Sequence, residues 1–246
     1  MTQTALGTGA GLVALAFCLS TFERWLARRR RHELAWSVAL ALFAVASGAL
    51  AAGAANGWNG PIFRVFYLFG AIVNVPFLAV GSVYLLGGRR AGDRAAVSVT
   101  VFSAFAAGVV IAAPLTHAIP RHRLPQGSDV FGALPRVLAG LASGAGALVV
   151  LGAAAWSAWR YRRGRMVGAN LLIAAGTLVT GASGLLNSVV GQMDAFAVTL
   201  AVGITVIFAG FLVATTEARV TEAASTEGGP GAASSLPRSG AARPPP

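Results

Sequence analysis

Apolar residues occur in seven long runs, separated by short clusters of polar and charged residues. Each run is close to the length of about 20 residues that a helix needs to cross a hydrocarbon core of about 30 Å. The runs lack the apolar–polar alternation of barrel strands, and a helix satisfies its backbone hydrogen bonds within one segment. The pattern therefore predicts an all-α polytopic membrane protein, a bundle of seven transmembrane helices. The predicted spans are residues 5–25, 34–55, 62–86, 95–113, 135–159, 166–190 and 194–215.

The last part of the chain differs in composition from the rest. We expect residues 1–216 to form the seven-helix domain. Residues 217–246 are rich in Ala, Gly, Ser, Pro and Glu. Such a segment buries too little apolar surface to offset the entropy of folding, so it is predicted to be a disordered tail.

The distribution of arginine predicts the orientation. The connections after the first, third and fifth spans carry twelve Arg, and the opposite side carries four. By the positive-inside rule, the N-terminus is outside and the C-terminus inside. The cluster Arg28, Arg29, Arg30 and Arg31 is expected to attract anionic lipid headgroups rather than nucleic acid.

Several kinds of chemistry are excluded by composition. The 19 basic residues are all Arg, so there is no lysine for a Walker-A phosphate loop or for a Schiff base with retinal or pyridoxal phosphate. Cys18 is the single cysteine and has no partner for an internal disulfide. No hydrolase or metalloprotease motif is present, and His117 and His122 lie in a proline-rich connection without a nearby cysteine. No catalytic residue, metal or cofactor is expected.

A repeat is suggested by internal similarity. A shift of 136 positions aligns residues 10–54 with residues 146–190, with eleven identities in 45 positions. This similarity is compatible with a three-plus-one-plus-three arrangement of parallel repeats.

Polar residues within the apolar runs indicate a candidate ligand site, because polar side chains are costly in lipid and tend to face the bundle interior. In the third span, Arg64, Tyr67 and Asn74 share a helical face, and Pro76 removes a backbone donor one turn after Ile72. Arg64 and Asp194 are both predicted near the outer boundary, where they form a pair in this interpretation. The candidate ligand-binding residues are Trp58, Arg64, Tyr67, Asn74, Asn187 and Asp194.

A purely structural interpretation of the same residues stays open. Arg64 suits a side chain that extends to the outer headgroups, and Asp194 suits a helix N-cap. Pairs of small residues, Gly7 with Gly11 and Gly140 with Gly144, suit close helix packing.

The string of residues 66–78 (FYLFGAIVNVPFL), together with residues 184–188 (GLLNS), resembles bacterial seven-helix integral membrane proteins of uncharacterised activity. The resemblance covers about residues 5–215 and implies a multi-pass protein of the bacterial cell membrane. Microbial rhodopsins are similar in helix number and orientation, with an Arg in the third helix and a carboxylate in the last, to which Arg64 and Asp194 loosely correspond. The retinal lysine is absent here. A three-one-three repeat is also similar to SWEET and PQ-loop carriers, but Pro125 and Gln126 lie in a connection rather than in a helix.

Three functional classes remain open. The first is a sensor or small carrier that binds a small ligand in the outer half of the bundle. The second is a non-catalytic accessory protein that packs against partner subunits or a second copy of the chain. The third is a membrane-embedded lipid-modifying enzyme.

Overall fold

A computed structural model describes residues 2–121, 123–160 and 201–210, together with residues 172, 175, 176, 179, 198 and 199. Within these residues the chain is almost entirely helical, and its only β pairing is an isolated bridge between Leu115 and Phe131. The prediction of an all-helical chain is confirmed for these residues. The helices are α1 (Thr2–Arg28), α2 (Arg31–Asn56), α3 (Gly60–Phe66), a π-helical stretch (Tyr67–Val73), α4 (Asn74–Ala112), α5 (Gly127–Val130) and α6 (Ala133–Arg160). Four segments are long and apolar enough to cross a membrane: Thr4–Arg28, Arg31–Asn56, Gly60–Ala112 and Ala133–Trp156.

Helices α1 and α2 form a close pair through small residues. A Cβ added at Gly7 would lie 3.3 Å from the backbone nitrogen of Ala51, and one added at Gly11 would lie 3.4 Å from the Cβ of Ser47. Glycine lets the two backbones approach, which increases van der Waals contact where the surrounding lipid is itself apolar. Small-residue packing is therefore observed for Gly7 and Gly11.

The helical segment from residue 60 to residue 112 is folded back on itself at Gly88. A straight helix of 53 residues would be about 80 Å long, well over the thickness of a hydrocarbon core. Gly88 has φ +74°, a conformation that favours glycine and interrupts α4. Arg64, near the start of the segment, donates to backbone carbonyls at its end, including Val110. The two arms, residues 60–87 and 89–112, are therefore antiparallel.

The first arm contains a π-helical stretch, Tyr67–Val73, that ends three residues before Pro76. Proline has no N–H, so Pro76 cannot donate to a carbonyl of the preceding turn. Ser143 on α6 donates to the Ala71 carbonyl, within the π-helical stretch, over 2.6 Å. Nearby, a Cβ added at Gly146 would lie 2.8 Å from Val75 Cγ1 and 3.1 Å from the Pro76 nitrogen. Helix α6 thus packs directly on the irregular part of the first arm.

Close packing at Gly140 and Gly144 is not observed. A Cβ added at either residue would meet no atom of the described residues within 4 Å. Gly146, two residues further along α6, makes the close approach instead, because it is this residue that faces Val75.

Residues 201–210, within the seventh predicted span, are helical and pack against α1. The rings of Phe208 and Phe17 lie 5.2 Å apart, and Ile204 and Ile207 are buried in a cluster that includes Ala14. Most of the sixth predicted span, most of the remainder of the seventh and the predicted tail lie outside the described residues.

Candidate functional site

A cap covers one end of the bundle. We use this name for residues 113–121 and 123–132, which connect α4 to α6. The cap is tied to itself by the Leu115–Phe131 bridge and by the Thr116 N–H, which donates to the Val130 carbonyl over 2.9 Å. Val130 and Phe131 are buried in the main hydrophobic cluster. The connection therefore packs as part of the core, and we call this the capped end.

Trp58 lies beneath the cap, at the turn between α2 and α3. Its backbone N–H donates to the Arg121 carbonyl in the cap over 3.0 Å. Its ring makes edge contacts with Phe66 and Phe63, at centroid separations of 5.5 and 6.3 Å. A Cβ added at Gly53 would lie 2.6 Å from the indole, so only glycine lets the ring rest on α2. The side chain is 3% exposed, and its Nε1–H has no hydrogen-bond partner among the described residues.

Arg64 caps the C-terminal end of the second arm. Its guanidinium donates to the carbonyls of Val110, Ile111 and Ala113, with the Ala113 bond measuring 2.8 Å. Terminal helix carbonyls lack partners within the helix and carry partial negative charge, so a cation is well placed there. The guanidinium carbon also lies 5.7 Å from the centre of the Phe131 ring. Arg64 is thus a helix C-cap that also contacts the cap.

Tyr67 is buried between the first arm and the cap. Its ring centroid is 5.0 Å from that of Phe131 and 5.7 Å from that of Phe63. Gly127, in α5, lies against the phenol, since a Cβ added there would be 2.5 Å from Tyr67 Cε2. Three of the predicted site residues, Trp58, Arg64 and Tyr67, therefore converge at the capped end.

The other predicted site residues are placed differently. Asn74 begins α4 directly after the π-helical stretch and is half-buried. The side chain that bonds the irregular backbone before Asn74 is Ser143, which donates to the Ala71 carbonyl. Asn187 and Asp194 lie outside the described residues. The predicted Arg64–Asp194 pair therefore stays a prediction.

The opposite end of the described bundle, which we call the arginine-rich end, holds a buried acid that sequence reasoning missed. Glu33, near the start of α2, is 1% exposed. Its Oε1 accepts from both Nε and Nη2 of Arg24 over 3.2 Å. Its Oε2 is buried without a hydrogen-bond partner among the described residues. One signal was available: Glu33 is the only acidic residue between positions 24 and 92.

A second polar cluster at the arginine-rich end links the connection between α1 and α2 to the fold-back at Gly88. Asp93 accepts from Arg31 and, over 2.8 Å, from the hydroxyl of Tyr84. It lies shortly after the fold-back at Gly88, before the apolar part of the second arm. The Tyr84 hydrogen bond, with the help of Arg31, holds the pKa of Asp93 below its ordinary value. One of the four arginines expected to meet lipid headgroups is thus engaged within the protein.

Within the described residues, no three His, Cys, Asp or Glu side chains are grouped so that they could hold a metal ion. His117 Nδ1 lies 2.8 Å from the Asp129 carbonyl, a contact internal to the cap. His122 is outside the described residues. The chain matches no protein-family model, no curated protein and no solved structure.

Proposed function

We propose that this protein is a seven-helix sensor or small carrier of the bacterial cell membrane that binds a small ligand beneath the cap. In this proposal the N-terminus and the capped end face the outside, and the arginine-rich end and the C-terminus face the inside. The orientation rests on the arginine distribution and on the positive-inside rule. The two antiparallel arms of the segment Gly60–Ala112 support two crossings where a single apolar segment is found.

The unpartnered indole N–H of Trp58 carries the ligand proposal. Buried indole N–H groups usually donate to an acceptor, and a buried donor without a hydrogen bond costs about 1–3 kcal/mol. Trp58 Nε1 is buried without one. An acceptor oxygen of a small molecule would satisfy this donor, and the surrounding rings of Phe63 and Phe66 would contact the apolar part of that molecule.

The remaining residues support access and position rather than direct contact. Arg64 already donates to three carbonyls, which makes it a support of the site rather than a free ligand-binding cation. The Trp58–Arg121 backbone bond ties the site to the cap, so the ligand would enter when the cap moves away from the bundle. The π-helical stretch beside Pro76 supplies a place where the first arm can bend.

Native mass spectrometry of the protein released from lipid nanodiscs tests the proposal, with wild type compared with Trp58→Phe. Phenylalanine keeps an aromatic ring and removes the N–H donor. We expect wild type to carry a small molecule that the variant loses. Trp156→Phe is the matched control, because Trp156 is 51% exposed on α6, and it should keep the ligand. If wild type carries bulk lipid alone, the ligand proposal is wrong.

Membrane orientation is tested separately by cysteine labelling in a Cys18→Ala background. Ser128 in the cap and Arg90 beside the fold-back are both exposed. A cysteine at Ser128 should react with an impermeant maleimide added outside, and one at Arg90 should react only after the membrane is opened. The reverse pattern would overturn the orientation.

Anionic lipid is the proposed partner of the arginine-rich end. Arg28, Arg29 and Arg30 are exposed where α1 meets α2, whereas Arg31 is bound to Asp93. Basic residues at this level attract anionic headgroups. Substitution of Arg29 and Arg30 by Gln should lower the amount of co-purified phosphatidylglycerol relative to phosphatidylethanolamine, and an unchanged ratio would contradict this role.

An accessory role is the second candidate, favoured by the open surface at Gly140 and Gly144. A Cβ at either position would meet no described atom within 4 Å, which leaves room for another helix. If this surface contacts a second copy or a partner subunit, Gly144→Leu should shift the assembly to a smaller mass on size-exclusion chromatography with light scattering. An unchanged mass would argue against a contact at this surface.

A further inference from the structure

The buried pair of Glu33 and Arg24 leaves one carboxylate oxygen without a donor. Arg24 directs both Nε and Nη2 to the same oxygen, Oε1. The second oxygen, Oε2, is buried and accepts no hydrogen bond from the described residues. A buried polar atom without a partner loses its hydration and regains nothing, and the loss is larger for a charged group.

Two hydroxyl groups of the described residues lie one turn from this pair along α1 and α2, and both donate elsewhere. Ser37, one turn along α2 from Glu33, donates to the Cys18 carbonyl over 3.3 Å. Thr21, one turn from Arg24 on α1, donates to the carbonyls of Phe17 and Cys18 over 3.0 and 2.9 Å. These two hydroxyl protons are therefore committed to α1 backbone.

Charge balance restricts what could satisfy Oε2. The Glu33 carboxylate and the Arg24 guanidinium neutralise each other across 3.2 Å. A further cation would leave the buried site with a net positive charge, which is costly to desolvate. A neutral hydrogen-bond donor would satisfy the oxygen without changing the net charge.

We propose that Glu33 Oε2 is a binding site for a neutral hydrogen-bond donor, the O–H or N–H of a small uncharged molecule, of which water is the smallest. The site lies between α1 and α2 at the arginine-rich end, away from the cap. The Arg24 side chain is 31% exposed while Glu33 is 1% exposed, so the pair extends from the surface to the buried oxygen. A donor would reach the oxygen along this path.

High-resolution cryo-electron microscopy of the full chain in nanodiscs, with an antibody fragment bound for alignment, tests the site. We expect density at hydrogen-bond distance from Oε2, about 3 Å. The double variant Arg24→Met/Glu33→Met should lose this density. It removes both charges together and leaves unbranched apolar side chains, a kind of replacement that buried ion pairs often tolerate. Glu23→Gln is the control, because Glu23 is exposed on α1, and it should retain the density.

Native mass spectrometry of the same samples identifies the donor. Compact density without added mass means water, and larger density with a bound mass means an organic hydroxyl, amine or amide. An organic ligand should bind about tenfold more weakly to Glu33→Gln, in which an NH2 group replaces the acceptor oxygen. Empty space beside Oε2, or an Oε2 turned onto a donor of the protein itself, would overturn the proposal. These results are independent of the Trp58→Phe comparison, which tests the capped end.

Discussion

Ser143 on α6 donates a 2.6 Å hydrogen bond to the carbonyl of Ala71, five residues before Pro76 on the first arm. The proline and the π-helical stretch leave the backbone of this arm short of a donor. A side chain from a different helix supplies it. The irregularity in one helix is therefore stabilised by the packing of another.

Ser143→Ala should lower the free energy of unfolding by about 1 kcal/mol, since hydrogen bonds between membrane helices have about this strength. Thermal unfolding in nanodiscs, followed by circular dichroism, measures the change. Ser103→Ala is the matched control. Its buried hydroxyl has no partner among the described residues, so its removal should leave the stability unchanged or raise it. Equal destabilisation by the two substitutions would contradict the role of Ser143.

Arg64→Ala should destabilise the protein by about 2 kcal/mol, because it leaves the carbonyls of Val110, Ile111 and Ala113 without their charged donor. Thermal unfolding again measures the loss. Arg123→Ala, at an exposed position of the cap, should change the stability little. If Arg64→Ala unfolds at the wild-type temperature, the helix-capping role is wrong.

Gly127→Ala should loosen the cap. The added methyl group would lie 2.5 Å from Tyr67 Cε2, and such overpacking costs about 1–3 kcal/mol. Limited proteolysis of the cap and the unfolding temperature both report the effect. Gly132→Ala, where a Cβ would meet nothing within 4 Å, is the control. Equal proteolysis of the two variants would show that the Tyr67–Gly127 contact does not hold the cap.

Acid should weaken the contacts that Asp93, near the start of the second arm, makes with Arg31 and Tyr84. Hydrogen bonds from Tyr84 and Arg31 lower the pKa of Asp93, so its contribution to stability is present above its unfolded pKa of about 3.9 and is lost as pH falls through the lower folded value. Unfolding temperatures measured from neutral to acid pH should therefore fall more steeply for wild type than for Asp93→Asn. Parallel curves for the two proteins would contradict this link.

Apolar run length alone predicted an all-helical membrane protein, because the hydrocarbon thickness fixes how many residues a crossing requires. The same pattern located Trp58, Arg64 and Tyr67 near one end, since polar and aromatic residues beside an apolar run favour the membrane boundary. Pro76 signalled a break in backbone hydrogen bonding, because proline lacks an N–H wherever it occurs.

Only the tertiary structure decided which groups form hydrogen bonds with these residues and with the backbone near Pro76. The donor at Ala71 comes from Ser143, 72 residues away, and the acceptors of Arg64 lie 46 to 49 residues away. Such distant pairings depend on how helices cross, and local sequence periodicity carries no record of it. Glu33 is a second example. In the sequence it is a charged residue beside an arginine cluster. In the structure it is buried against α1 and paired with Arg24, and its Oε2 has no partner among the described residues. A helix has several faces, and which one is buried is fixed by its neighbours rather than by its own sequence.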